Sequence, residues 1–134
     1  MRTFCILYVV VLSVGCSPKL APDAAWGRQR WVVTEMKGIP VQLSGGRRDA
    51  FIRFEHDEKR FTGNGGCNQI NGSYALDKKD IKFGPVVSTK MSCPDIAFES
   101  KFLDLLNTVD KFEQKGNDLY LKRKKEVVLV LSAR

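Results

Sequence analysis

Hydrophobic positions recur every second residue in several short runs of this chain and at helical spacing in only one, which predicts a mainly β domain with a single α-helix. Phe51-Ile52-Arg53-Phe54-Glu55 sets Ile52 and Phe54 on one face and Arg53 on the other, as a half-buried strand does. Residues 31–34 and 41–43, joined by a turn at Lys37-Gly38, have the β-branched and aromatic content of two further strands. Strands are also expected at 60–62, 73–76, 81–83 and 86–91, with turns at Asn71-Gly72 and Asp77-Lys78-Lys79-Asp80. Between them, Gly63-Asn64-Gly65-Gly66-Cys67-Asn68 wants unusual backbone angles, as at a bulge or a tight sheet corner.

Period changes after Cys93-Pro94-Asp95, which suits a helix start; Phe98, Phe102, Leu105, Leu106 and Val109 then fall on one helical face. Leu119 and Leu121 share the face of another strand. Residues 126–131 are apolar on both faces, so this last strand is expected to be central, with the helix as its cover. The resulting expectation is an α+β fold: a curved antiparallel sheet, or a small partly open barrel, with one helix packed on it. Phe51, Phe54, Phe61 and Phe83 are the large side chains expected to point inward and fill it.

Composition narrows the class. The 134 residues are 43% hydrophobic and 28% charged, ordinary values for one globular core. Residues 1–15 read as an export signal: Arg2 supplies positive charge, residues 4–14 are uncharged, and the stretch falls short of the roughly 18 apolar residues of a membrane span. Leu12-Ser13-Val14-Gly15-Cys16 resembles the lipobox of bacterial lipoproteins, with Leu12 one position earlier than the pattern prefers. That resemblance implies lipidation of Cys16 and removal of residues 1–15; the alternative is ordinary secretory cleavage that leaves Cys16 a free thiol. Residues 16–25, with Pro18 and Pro22, suit a tether, and 26–134 form the expected domain. Ser17 after Cys16 resembles the signal that sorts lipoproteins to the outer membrane.

The formal net charge of +7 drops by one when Arg2 is removed. Export excludes most nucleic-acid partners. Lys122-Arg123-Lys124-Lys125 reads as a basic hairpin loop, with contact to phospholipid or an acidic partner as its functional alternative.

Cys67 and Cys93 are the thiols left in the exported domain once Cys16 is lipidated. An oxidising compartment favours a disulfide, which would contribute about 3.5 kcal/mol by chain entropy, against two buried reduced thiols. A Cys67 nucleophile needs a base, and the chain's one histidine, His56, lies in the charged turn 55–60. No nucleophile-elbow serine, phosphate loop, zinc ligand set or calcium loop is present in the sequence, so no catalytic, cofactor or metal residues are assigned. Asn64, Asn68, Asn71 and Thr89 could complete hydrogen bonding at a bent sheet or line a recognition surface.

Gly66-Cys67-Asn68, Gly72-Ser73-Tyr74, Ser88-Thr89-Lys90-Met91-Ser92-Cys93-Pro94, then Glu99, Phe102-Leu103, Leu106 and Leu119-Tyr120-Leu121 together resemble the META domain from Trp26 to the C-terminus. Ser92 stands where alanine is commoner. This family includes the heat-shock protein HslJ and many small envelope lipoproteins. The resemblance implies a curved antiparallel sheet approaching a barrel with one helix, and architectural roles for Gly66, Asn68, Gly72, Tyr74, Thr89 and Met91. It implies an association with stress tolerance and envelope integrity, and no defined reaction. The expected function is a non-enzymatic, monomeric, lipid-anchored envelope protein that binds a protein or other envelope component. Alternatives are a lipocalin-like carrier of a small apolar ligand, and an inhibitor of a foreign hydrolase that uses Gly63 to Asn68 as its loop.

Overall fold

Alternation turns one side chain in two toward a shared interior, and in the computed structural model that interior is walled by strands all the way round. The structure describes residues 22–45 and 48–134; the expected signal segment 1–15, Cys16 and the first part of the tether lie outside them. The described strands are β1 (Trp31–Met36), β2 (Ile39–Pro40), β3 (Phe51–Glu55), β4 (Arg60–Asn64), β5 (Gln69–Asp77), β6 (Asp80–Phe83), β7 (Val87–Ser88), β8 (Lys111–Lys115), β9 (Asp118–Arg123) and β10 (Glu126–Ala133). One α-helix, α1 (Ile96–Thr108), joins β7 to β8.

Eight of the strands follow one another round the barrel as β1-β3-β4-β5-β6-β8-β9-β10, and β10 pairs back onto β1 from Trp31↔Ala133 to Met36↔Leu129. This corrects the expected open sheet or partly open barrel: the barrel is closed. The physical reason lies in the long apolar β10, which is paired along both edges, on β9 and on β1. Register shifts at Val33/Glu35 and Val127/Leu129 bend these strands enough to meet. Closure removes the exposed backbone edges that an open sheet would present.

The narrowest seam is between β6 and β8, which share the single pair Asp80↔Lys111. Helix α1 packs against β6 and β10 and sends Phe102 and Leu106 into the core. Aromatic rings fill the rest. Trp26 lies 4.9 Å from Phe54 and 5.1 Å from Phe112 between ring centres, and Phe61 lies 5.5 Å from Phe83. The last two of these are edge-to-face contacts, which add to plain area burial.

Several local expectations change. Phe51 is on the outer face, because alternation places it opposite Ile52, and the Arg30 guanidinium sits 4.1 Å above its ring. Asn71-Gly72 is no turn but the middle of the nine-residue β5. Gly72 is there because a Cβ would come within 2.8 Å of the Phe61 ring. The strand expected at 41–43 is instead the short β2 at Ile39–Pro40. Strand β8 carries only Phe112 as a buried side chain, too little apolar alternation to announce itself. Packing also begins earlier than Trp26, since Pro22–Ala24 form a 3-10 turn with Asp23 buried.

Leu121, wholly buried on β9, is expected to destabilise the domain by about 2–5 kcal/mol when replaced by alanine. Exposed Val87→Ala should stay within about 0.5 kcal/mol. Chemical unfolding of both variants measures the difference.

Candidate functional site

Two buried carboxylates organise the two ends of the β3–β4 pair. The first is Glu99 on α1, only 3% exposed. Its Oε2 accepts from the backbone N–H groups of Asn68 at 2.6 Å and Cys67 at 3.2 Å, and its Oε1 accepts from Asn68 Nδ2 at 2.8 Å. Asn68, itself buried, accepts at Oδ1 from Met91 N–H at 2.7 Å and Thr89 Oγ1 at 3.0 Å. Thr89 Oγ1 in turn accepts from Gln69 N–H. One side chain thus joins the β4–β5 corner, the segment after β7 and the helix. Gly65 makes room for it, because a Cβ there would stand 2.7 Å from the Glu99 carboxylate. Gly66 has φ +108°, a conformation that glycine alone adopts readily, and its N–H donates to Asn64 Oδ1.

Cys67 and Cys93 are joined in a disulfide, with Cα atoms 6.0 Å apart, so the same corner is also tied covalently to the start of α1. Of the residues singled out from sequence, Gly66, Asn68, Thr89, Cys67 and Cys93 therefore converge, with Met91 contributing its backbone while its side chain stays 55% exposed. Asn71 is apart from them, on the outer face with Arg60. The segment from Gly63 to Asn68 is held down, with Gly63 and Asn64 inside β4 and Gly65 and Asn68 buried.

The second carboxylate is Asp23, fully buried in the turn that opens the described chain. Lys59 Nζ and Tyr74 Oη donate to its Oδ2, the latter at 2.8 Å. His56 Nδ1 lies 2.9 Å from Oδ1 and 3.1 Å from Lys59 Nζ. Burial pushes the Asp23 carboxyl up, and the Lys59, His56 and Tyr74 partners together outweigh it and hold the group below its ordinary value of 3.8. Burial raises the Tyr74 phenol, and the neighbouring Asp23 charge raises it further. Sequence alone missed this cluster: Lys59 and His56 read as a solvated turn, and the one signal was Pro22-Asp23, a pair typical of a helical start.

His56 and Cys67 do not meet. They lie in the turn before β4 and the corner after it, and the Cys67 sulfur is bonded to Cys93. Tyr74 is a different matter from the other motif residues, since it serves Asp23 rather than the Asn68 corner. Among the described residues, no three His, Cys, Asp or Glu side chains converge as metal ligands.

A groove of about 610 Å³ lies beside the Glu99 corner. Ile39, Pro40 and Val41 form one wall and the α1 residues Phe98 and Lys101 the other, with buried Met36 and Ala50 beneath. Arg48, Asp49 and Asp95 complete its rim.

Glu99→Gln replaces one acceptor oxygen by a donor facing N–H groups, and the expected loss is about 1.5–3 kcal/mol in chemical unfolding. For Asp23, a carboxyl held low stabilises the fold fully above 3.8 and loses that contribution as pH falls through its folded value. Asp23→Asn should therefore be less stable at neutral pH, by about 1–3 kcal/mol, yet flatter than the unaltered chain in an acid titration of unfolding. A parallel slope in both proteins would overturn the assignment.

Over residues 24–134 the chain matches the META domain. No curated protein matches it. Among solved structures it resembles the NMR structure of a protein from Burkholderia xenovorans, at TM-score 0.65 and 19% identity, over 84% of this chain and 86% of that one. It also resembles the crystal structure of a DUF4847 family protein from Bacteroides vulgatus, at TM-score 0.61 and 18% identity, over 83% of this chain and 95% of that one. At such identities the likeness is one of fold. The family match spans the closed barrel, the helix and the Asn68–Glu99 corner alike, and on that ground the chain belongs to the META domain family.

Proposed function

We propose that this protein is a non-catalytic module of the bacterial cell envelope, anchored by lipid on Cys16, that binds through the outside of its barrel. The filled interior carries this reading: Trp26, Trp31, Phe54, Phe61 and Phe102 are each at most 1% exposed and occupy the space a carrier would keep for cargo. A lipocalin-like carrier is correspondingly disfavoured. The half-buried, tied-down corner from Gly63 to Asn68 likewise offers little of a protruding inhibitory loop.

The exported address draws support from two independent features. The run ending at Cys16 resembles a lipobox, and a disulfide such as Cys67–Cys93 persists in oxidising compartments. Ser17 favours the outer membrane, and membership of the META family is the ground for a role in stress tolerance or envelope integrity.

Intact mass of the native protein, alkylated with and without prior reduction, tests the reading. The expected result is a chain that begins at Cys16 with acyl mass and two thiols that alkylate only after reduction. An unacylated chain, or thiols that react without reduction, would sink it.

A further inference from the structure

We propose that the groove between β2 and the start of α1 binds a single-chain fatty carboxylate, its acyl chain against Ile39, Val41 and Phe98 and its carboxylate toward Arg48 and Lys101. This rests on the surface-binding reading above and names the ligand of that surface.

Shape is the first argument. A groove of about 610 Å³ falls within the roughly 300–1,000 Å³ of small-ligand sites, and the barrel core leaves no comparable space inside. Chemistry is the second. Ile39 is 61% exposed although large and apolar, and it faces a concave wall rather than open convex surface. An apolar side chain in that position gains from covering.

Charge at the rim decides the head group. Asp49 has both carboxylate oxygens engaged, by Ser44 N–H and Oγ and by Gly45 N–H. Asp95, at the helix start, makes no capping hydrogen bond. Beside these two carboxylates, of which Asp49 is turned to the Ser44–Gly45 turn, stand Arg48 and Lys101, neither of which has an ion-pair partner among the described residues. Two unanswered cations beside an exposed apolar wall suit a ligand with an apolar body and a negative head.

An added peptide strand fits less well. Val41 N–H pairs with Thr34, so alternation turns the backbone of position 40 away from β1 and toward any newcomer. Pro40 has no N–H to offer there.

The test uses the full native protein in nanodiscs of neutral phospholipid, photolabelled with a diazirine analogue of dodecanoate and mapped by peptide mass. Adducts are expected on the peptides holding Ile39–Val41 and Phe98, competed by dodecanoate and not by dodecyltrimethylammonium. Arg48→Glu and Lys101→Glu, both at exposed positions, should lower labelling about tenfold together with an unchanged circular dichroism spectrum. Labelling spread over other surfaces, equal competition by the cationic amphiphile, or full labelling of the two variants would overturn the proposal. So would displacement of the probe by an extended acidic and apolar peptide but not by dodecanoate, which would give the groove to a polypeptide. The N-terminal peptide in the same spectra reports the anchor separately. An unlabelled groove on an acylated chain thus removes the ligand and leaves the envelope module standing.

Discussion

A buried carboxylate must find donors, and Glu99 finds all three of its donors on the corner between β4 and β5. No cation pairs with it among the described residues, so backbone and amide N–H groups carry the whole task of replacing water. The geometry fixes three things at once: the entry of β5, the position of the segment around Thr89 and Met91, and the angle at which α1 meets the barrel. Cys67 and Cys93 bind the same two places covalently. Polar satisfaction and covalent closure therefore reinforce one junction, and the groove wall formed by Phe98 depends on it.

Closure of the barrel has a different origin. It follows from β10, whose inward and outward residues are both apolar and whose two edges are both paired. A closed eight-stranded barrel of this size is filled by side chains, and the aromatic residues supply the volume. Concave surface then lies on the outside, where the helix leans on the rim.

Much of this was legible in the sequence, and the failures share a physical cause. The strands around Trp31, Ile52, Leu119 and Val128 and the helix with Phe102 and Leu106 follow directly from spacing. The run Gly63 to Asn68 is a corner, as its glycines demand. What spacing cannot convey is who sits opposite. Gly72 looked like a turn because glycine permits turns, yet its purpose is to admit the ring of Phe61. Lys59 and His56 looked solvated because their partner, Asp23, is 36 positions from the lysine. Closure was missed because a sheet and a barrel of the same strands differ only in whether β1 meets β10, a contact between the chain's far ends. Asn68 and Glu99 were visible as parts of a family pattern, without the reason that one holds the other.

The latch at Asp23 gives the domain a defined mechanical handle. Any pull on the residues before Pro22 enters the barrel through Asp23, held by the β3–β4 turn and by Tyr74 on β5, and through Trp26, whose indole donates to Gln114 on β8. The first two attachments are adjacent and the third lies beyond β6, so the load divides between two places on the barrel wall. A tug of that kind meets paired strands on both sides of each attachment, and the one thin place in the ring is the single-pair seam between β6 and β8.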